Sequence, residues 1–318
     1  MQTDLDATSR ASRFALDSLI GKSERMVEVR HLVELAAASS VDVLLQGEVG
    51  TGKELAARII HEKGGSRGPF IKVECRSPAG VLDSRLFGPK TKDSTLYLSD
   101  LADLSARTQA QLGEALDERD RTASAGGQNA PFAGVRLIGA SSRDLAAASG
   151  DGTFLEPLFR RLAAQAIELP PLRARREDIP VLLDHFLDEL RGEMRHQIER
   201  FSPESVEILA RRHWAGNVDE LYEYVRTTVI LAKVKVIEPM DLWLPRGVED
   251  VGVEPWNLGY RELRRRVLLR FEADFVGRIL KAAGGNVSMA ARLAKIDRKH
   301  LWRLIQRTGI RLERLDKG

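Results

Sequence analysis

Cysteine is almost missing from this chain, because its 318 residues include only one, Cys75. A single cysteine excludes an internal disulfide and is typical of a reducing, cytoplasmic compartment. No apolar run approaches the roughly 18 residues that a membrane-spanning helix needs. The polar N-terminal stretch also lacks the apolar centre of a secretion signal. These absences predict a cytoplasmic protein that has no membrane among its partners.

Charge is nearly balanced overall but unevenly distributed. The net charge is +3. From Arg261 to the C-terminus we count 16 basic and 6 acidic residues, which leaves 33 basic and 40 acidic residues in the rest of the chain. A basic C-terminal part on an acidic body indicates a nucleic-acid surface near the C-terminus. A solvated helical face is the ordinary alternative.

Strand-like and helix-like segments alternate through the first half of the sequence. The predicted strands are residues 41–47, 70–75, 95–100 and 135–140. Such alternation predicts an α/β fold with a parallel sheet covered by helices. The small, polar segment Thr122–Gly134 is predicted to be a loop. Strands are expected to stop after about residue 180, where a helical subdomain follows, with Ser202 as a helix N-cap.

A phosphate-binding loop follows the first predicted strand. The run GEVGTGKE has the spacing G-x-x-x-x-G-K, between a buried strand and a helix. Glycines let backbone N–H groups point at phosphate oxygens, and Lys53 reaches the terminal phosphates. Glu54 stands where many such loops carry a serine or threonine that contacts Mg²⁺. The predicted nucleotide-binding residues are Gly47, Glu48, Val49, Gly50, Thr51, Gly52, Lys53 and Glu54.

The C-terminal run from Gly284 to Ile310 has the pattern of a helix-turn-helix. Met289, Ala290, Leu293 and Ile296 are predicted to pack the first helix, and Asp297 to cap the second. Leu301, Leu304 and Ile305 of the second helix should point inward. The opposite face carries the predicted DNA-binding residues Arg298, Lys299, His300 and Arg303. Basic and hydrogen-bonding groups at this position suit reading of the major groove.

Several longer runs together resemble one family. They include LIGKSERM, GEVGTGKELAARIIH, PFIKVEC, LDSRLFG, LPPLRARREDIPVLLDHFL, WAGNVDEL and the C-terminal GGNVSMAARLAKIDRKHLWRL. The chain resembles the bacterial enhancer-binding proteins, which are sigma-54-dependent transcription activators, from about Leu19 to its end. The resemblance implies an AAA+ α/β domain with a helical lid, a Fis-type helix-turn-helix, ring assembly, and ATP hydrolysis that remodels the sigma-54 polymerase.

The resemblance also implies a domain order. Residues 1–18 are a polar lead-in, 19–170 the α/β nucleotide-binding subdomain and 171–247 the helical lid. Residues 248–262 are a linker, and 263–318 form the all-α DNA-binding domain. The implied cofactor is ATP or ADP, with or without Mg²⁺. The implied partners are double-stranded DNA and further copies of the chain or of related activators.

The sequence departs from this family at the positions that carry hydrolysis. Only Pro89–Ser94 separate LFG from TLYL, so the family's sigma-54-contacting insertion is missing. The hydrolytic strand of the family ends in Asp-Glu, whereas this chain has Ser99 and Asp100. A hydroxyl is a poor replacement for a carboxylate that holds Mg²⁺. Asp100 is one methylene shorter than glutamate and remains a candidate catalytic residue.

Three further positions of the reaction centre differ from the family. Ser142 stands for a polar asparagine after the fourth strand, and Leu155 replaces the first of two arginine fingers. Arg161 matches the second finger and is therefore the other catalytic candidate. Asp219 replaces the lid arginine, so it should place negative charge near the phosphates.

These changes predict a DNA-binding transcription regulator that keeps nucleotide binding and has lost most or all ATPase activity. It would act by occupying DNA, by contacting another polymerase form, or by joining rings of an active relative. Two alternatives stay open. One is a slow, active ATPase in which Asp100 or Asp103 holds the metal. The other is a regulatory subunit that modulates rings of a related activator.

Overall fold

The computed structural model describes residues 16–66, 68–90, 93–124, 131–193, 197–232, 234–239, 241–242, 272, 275–277, 279–280, 283–294 and 296–308. The chain divides into two compact units, Met1–Leu242 and Trp243–Gly318. We call them the N-terminal and the C-terminal unit. The predicted linker 248–262 lies outside the described residues. No helix among the residues that are described is long and apolar enough to cross a bilayer.

Five parallel strands form the central sheet of the N-terminal unit, in the order β2-β3-β4-β1-β5. The strands are β1 Val43–Gln46, β2 Phe70–Glu74, β3 Thr95–Ser99, β4 Arg136–Ser141 and β5 Ala166–Glu168. The four predicted strands are therefore confirmed within about two residues at each end. β5 was not predicted, because three residues with one buried side chain carry little strand pattern.

Helices cover both faces of this sheet. They are α1 Glu24–Ala38, α2 Lys53–Lys63, α3 Ala79–Phe87, α4 Ala106–Ser124, α5 Leu145–Gly150 and α6 Glu156–Leu162. Helices α1 and α2 pack on one face, around Val33, Leu45 and Ile59. The other face buries a second cluster, which includes Leu98, Leu112 and Leu158. Since α4 extends to Ser124, only residues 125–130 of the predicted loop 122–134 lie outside the described residues.

A helical lid completes the N-terminal unit. Its elements are α7 Ile179–Glu193, β6 Arg200–Phe201, α8 Pro203–Arg211, α9 Asn217–Leu231 and β7 Val236–Ile237. Ser202 caps α8, as predicted, by accepting from the N–H of Ser205. Trp214 is fully buried and donates to the carbonyl of Leu209 at 2.9 Å. The expectation that strands stop at the lid was wrong, because β6 and β7 form a two-residue parallel pair.

The C-terminal unit contains the predicted pair of helices, α10 Val287–Leu293 and α11 Arg298–Thr308. Asp297 accepts from the N–H of His300 at 2.7 Å, which confirms the predicted cap. Leu301, Leu304 and Ile305 are buried, as predicted. The packing face predicted for α10 was partly wrong, since Met289 and Leu293 are 46% and 49% exposed.

The buried face of α10 is instead made of small residues, Ala290 and Ala291. They pack in a cluster with Val276 and Leu301, among other residues. Alanine lets neighbouring helices approach closely, so the larger side chains on either side of this face are left at the surface. Apolarity alone does not distinguish these two faces of a helix of only two turns.

Candidate functional site: a phosphate-binding loop closed by the lid

The loop between β1 and α2 has the curled backbone that the glycine spacing predicts. Gly47, Gly50 and Gly52 all have positive φ, at 145°, 75° and 100°. Side-chain-bearing residues rarely adopt such values, so glycine is required here. The N–H groups of residues 49–53 make no hydrogen bond to the part of the chain that the structure describes. They lie at the N-terminus of α2, where free N–H groups and the helix dipole favour an anion.

Lys53 begins α2, and its ammonium folds back over the loop. The Lys53 Nζ atom donates to the carbonyls of Gly47 and Glu48, at 2.6 and 2.7 Å. Burial lowers the pKa of Lys53, while the nearby charges of Asp100, Asp219 and Glu48 act in the opposite direction. The two aspartates come from different places, Asp100 from the end of β3 and Asp219 from α9. The Lys53 ammonium therefore interacts with carboxylates of the protein itself, even without a bound phosphate.

The lid packs directly on this loop. The N–H of Val218 donates to the carbonyl of Gly50 at 2.9 Å. A methyl group on Gly50 would lie 2.1 Å from the carbonyl oxygen of Gly216. The Asn217 side chain donates to the carbonyl of Val49 and accepts from the N–H of Leu172, both at 2.8 Å. One buried amide thus joins the loop, the end of the sheet domain and the lid.

A pair of charged side chains reinforces the same junction. Arg173 donates to both carboxylate oxygens of Glu48, one of them at 2.6 Å. This hydrogen bond is the main reason why the pKa of Glu48 falls to about 2. The Asn217 amide also donates to Glu48, at 3.2 Å. Glu48 was predicted as a nucleotide-binding residue, and in the structure its carboxylate holds the loop to the segment that leads into the lid.

A cavity of about 610 Å³ opens from the loop toward the lid. Thr51 and Gly52 line its loop end. Its walls are mostly apolar and include Leu19, Leu55, Leu182, Phe186 and Val218. This volume is in the range of sites that hold a small ligand, and an apolar wall suits a flat aromatic base.

The charged side chains of the cavity wall include Arg175 beside the loop and Asp188 and Glu189 on α7. Arg175 is only 2% exposed, and its Nη2 atom donates to the carbonyl of Thr51 at 3.3 Å. The Arg175 Nε atom is buried without a hydrogen-bond partner among the residues described. Burial lowers the pKa of Arg175, against the attraction of Asp178. A buried guanidinium beside the loop adds a second cation to the anion-binding end of the cavity.

The carboxyl ends of β2, β3, β4 and β1 lie side by side at one edge of the sheet. Asp100 follows β3 and has a left-handed backbone, with φ of 58°. Asp103 lies one turn further on. Arg76, which follows β2, donates to Asp103 at 2.6 Å, and Arg143, which follows β4, donates to the other oxygen of Asp103. Both oxygens of Asp103 are therefore engaged by arginines.

Arg161, the predicted arginine finger, is engaged within its own chain. Its guanidinium donates to Asp117 at 2.7 Å, to the carbonyl of Leu116 at 3.1 Å, and to Asp120. All three partners lie on α4. Only 21% of the side chain is exposed. Leu155, at the position of the other finger, packs against the core cluster beside α6.

Comparison with known proteins gives a consistent result for the N-terminal unit. Residues 20–172 match the profile of the sigma-54 interaction domain, and residues 173–246 match that of an AAA+ ATPase lid domain. The transcriptional regulatory protein ZraR of Escherichia coli K12 is 33% identical over 316 residues, which cover 93% of this chain and 70% of ZraR. The regulatory protein AtoC of the same organism is 32% identical, covering 92% of this chain and 68% of AtoC.

The chain belongs to the sigma-54-dependent transcription activator family. Its fold is the parallel-sheet α/β AAA+ fold with a helical lid. Among solved structures, NtrX from Brucella abortus in complex with ATP matches with a TM-score of 0.66 and 26% identity, covering 97% of this chain and 73% of NtrX. NtrX in complex with ADP matches equally well, at 27% identity. The Thermotoga maritima RuvB motor, 16% identical with a TM-score of 0.53, shares the fold.

A magnesium site does not fit the residues of this family member. Glu54 turns to Arg58 and Lys72, at 2.7 and 2.9 Å, along the side of α2. Ser99 ends β3 without a carboxylate, and Asp103 is engaged by two arginines. Within the described ranges no group of three or more histidine, cysteine or acidic side chains is placed to hold a metal ion. Mg²⁺ is held through carboxylates and phosphate oxygens, and only Asp100 remains to offer one.

Cys75 is a core residue of this activator-family domain. It is 3% exposed, and burial raises the pKa of its thiol to about 12. Its burial in the core assigns it a packing role. A thiol with such a pKa is protonated at neutral pH and is a poor nucleophile.

The sequence analysis missed Arg76, Arg143, Arg173, Arg175 and Asn217 as site residues. Arg173, Arg175 and Asn217 lie in the runs LPPLRARREDIP and GNVDEL, so the family resemblance was a signal that could have found them. Arg76 directly follows the second predicted strand and Arg143 follows the fourth by three residues, which is the place where parallel sheets bind ligands. The predicted DNA-binding residues Arg298, Lys299, His300 and Arg303 are all exposed on α11.

Proposed function

We propose that this member of the sigma-54 activator family is a DNA-binding transcription regulator that binds a nucleotide and does not turn it over at a useful rate. The nucleotide binds at residues 47–54 and in the cavity beside them. The free N–H groups of the loop, Lys53 and the apolar wall support this assignment. The structures of NtrX in complex with ATP and with ADP support it as well.

The residues at the end of β3 are the main support for the loss of ATP hydrolysis. Hydrolysis needs one carboxylate for the metal and another that orients the attacking water. Ser99 offers a hydroxyl, and Asp103 is bound by Arg76 and Arg143. Asp100 alone has to serve both purposes. The single carboxylate supports nucleotide binding without efficient turnover.

Arg161 supports the same proposal. An arginine finger has to reach a nucleotide held by a neighbouring subunit, and its contribution to the rate is on the order of 10³-fold or more. Here the guanidinium bonds to Asp117, Asp120 and the carbonyl of Leu116, all within its own chain. Moving it into a neighbouring site would leave Asp117 without its cation, whereas Asp120 would keep its pair with Arg119. We therefore assign Arg161 a packing role between α4 and α6.

The short connection between α3 and β3 supports a regulator that does not remodel the sigma-54 polymerase. Only residues 88–94 join Phe87 to Thr95. Lys90 turns back to the carbonyls of Leu86 and Gly88, at 3.1 and 2.8 Å. Seven residues leave no length for the extended polymerase-contacting loop that the family uses. The chain then acts through DNA occupancy, through another polymerase form, or within rings of an active relative.

The C-terminal unit supplies the proposed contact with double-stranded DNA. α11 exposes Arg298, Lys299, His300 and Arg303 on one side and buries Leu301 on the other. This separation lets basic groups reach a groove while the helix stays packed on its own unit. Phosphate contacts by such groups make binding strongly dependent on salt.

Phosphate release by the purified full-length chain tests the ATPase proposal. We expect no release above that of the Lys53→Ala variant, in the presence of Mg²⁺ and over the whole range of protein concentration at which rings form. Turnover that the Lys53→Ala change abolishes would contradict the proposal. That result would favour the second candidate, a slow ATPase, which is supported by the position of Asp100 close to Lys53.

Selection of bound fragments from genomic DNA, followed by titration of the selected duplex, tests the DNA proposal. The double change Arg298→Ala and Arg303→Ala should weaken binding and reduce its salt dependence. Arg226→Ala is the matched control, since Arg226 is an exposed lid arginine paired with Glu223. Failure of the chain to retain any duplex at low salt would contradict the regulator assignment. Light scattering of the same samples measures self-association, which stays a prediction.

A further inference from the structure

The charges at the carboxyl edge of the sheet form an ordered row. Arg76 follows β2, Asp100 and Asp103 follow β3, Arg143 follows β4, and the phosphate-binding loop follows β1. Arg76 Nε lies 2.6 Å from Asp103 and 3.9 Å from Asp100. Arginine guanidinium groups thus occupy the surroundings of the carboxylates where a P-loop protein places its divalent cation. Both arginines bind Asp103, so Asp100 keeps only a longer contact with Arg76, at 3.9 Å.

A divalent cation would be repelled in this row. Arg143 and Arg76 flank Asp103 on both oxygens, and neither arginine loses its charge at any ordinary pH. Binding of Mg²⁺ would have to displace them from Asp103 and leave two unpaired cations beside the metal. Because these residues do not fit a magnesium site, no metal screens the charge of a bound phosphate chain.

Two carboxylates then determine how much negative charge the loop accepts. Asp100 from the sheet, Asp219 from the lid and Glu48 are the carboxylates whose charges raise the pKa of Lys53, against the effect of its burial. The Asp219 side chain also lies beside the loop, with its Cβ 3.3 Å from the place where a Cβ on Gly50 would be. The lysine of a P-loop, here Lys53, reaches the β- and γ-phosphates of the nucleotide. The third phosphate of a nucleoside triphosphate would therefore lie on the same side of the loop as Asp100 and Asp219.

We propose that the ligand of this site is a nucleoside diphosphate, bound without a divalent cation. This inference rests on the proposed nucleotide binding and names the ligand class of that same site. The N–H groups at the start of α2 and the Lys53 ammonium bind the two phosphates. The base lies against the apolar side chains of the cavity. Lys53 and Arg175 are the cations beside the loop, and a third phosphate adds one negative charge that no metal screens.

The discriminating experiment is calorimetric titration of the full-length chain with ADP and with ATP. Each nucleotide is measured once in EDTA and once in millimolar Mg²⁺. We expect ADP to bind at least about tenfold more tightly than ATP in EDTA. We also expect Mg²⁺ to change the ADP affinity by less than about twofold. Equal or tighter binding of ATP, or a clear gain in ATP affinity on adding Mg²⁺, would overturn the inference.

The Asp219→Asn variant tests the cause. Removing one carboxylate charge should raise the affinity for ATP more than the affinity for ADP. The ratio of the ATP to the ADP dissociation constant should therefore fall by several-fold. Asp184→Asn is the matched control: Asp184 is an exposed lid residue that does not line the cavity, and its loss changes the net charge equally. An unchanged ADP-to-ATP ratio in Asp219→Asn would contradict the electrostatic argument.

The same titrations distinguish a wrong ligand class from a wrong assignment of nucleotide binding. If neither nucleotide binds the wild-type chain, the proposed nucleotide-binding function is wrong, and this inference with it. If ADP and ATP bind with equal affinity and Lys53→Ala weakens both, nucleotide binding stands and only the diphosphate preference is wrong.

Discussion

Replacing Asn217 by alanine should destabilise the N-terminal unit by about 3–5 kcal/mol. Its side chain satisfies the N–H of Leu172 and the carbonyl of Val49, both at 2.8 Å. The N–H of Leu172 is buried and costs about 1–3 kcal/mol without a partner, whereas the carbonyl of Val49 is only partly buried and its lost hydrogen bond costs about 1 kcal/mol. Asn217 also has a left-handed backbone, with φ of 54°, which costs alanine about 1 kcal/mol. Such a loss is a large fraction of the roughly 5–15 kcal/mol that holds a domain together.

Denaturant unfolding followed by circular dichroism measures this change, taken from the transition of the N-terminal unit. Asn217→Gly separates the two contributions, because glycine loses the same hydrogen bonds and accepts the left-handed backbone. It should be about 1 kcal/mol more stable than Asn217→Ala. Asn286→Ala, which removes the cap of α10, is the control and should leave this transition unchanged. A loss below about 1 kcal/mol in Asn217→Ala would refute the role of Asn217 as the junction of loop and lid.

Three further predictions follow from the same unit. Gly50→Ala should abolish nucleotide binding, measured by calorimetry, because a methyl group there meets the carbonyl of Gly216 at 2.1 Å and φ is positive. The pKa of Glu48 is lowered to about 2 when folded, from 4.5, so its stabilisation is complete above pH 4.5 and is lost as the pH falls toward 2. Since the pair with Arg173 is partly exposed, Glu48→Gln should remove only about 1 kcal/mol of this acid dependence in unfolding experiments. Cys75 should resist alkylation at pH 8 in the folded protein and react once urea unfolds it, as followed by mass spectrometry.

Local patterns predicted most of the elements that carry the site. The loop from Gly47 to Lys53, the strand before it and the helix after it were all predicted, because glycine spacing and apolar runs act over a few residues. The cap at Asp297 and the buried side of α11 were predicted for the same reason. The missed strands are the shortest elements: β5, β6 and β7 have only two or three residues each, too few for a period to be read.

The order of the strands placed residues that no local pattern connects. Asn217 reaches Glu48 across 169 positions of the chain, and Arg173 reaches it across 125. Arg76, Asp103 and Arg143 meet because β2, β3 and β4 are parallel neighbours whose carboxyl ends share one edge. The family resemblance marked Asp219 as a substitution near phosphates, and its proximity to Lys53 supports that position.

The sequence by itself determined that this chain carries a phosphate-binding loop, an α/β domain and a pair of C-terminal helices with basic side chains, since each depends on residue spacing within one segment. It also determined that Ser99 replaces a carboxylate at the end of β3. Only the tertiary structure decided which charges compensate one another at the sheet edge. Ion pairs between distant segments depend on strand order and lid docking, and for that reason the engagement of Asp103 and Arg161 could not be read from the sequence.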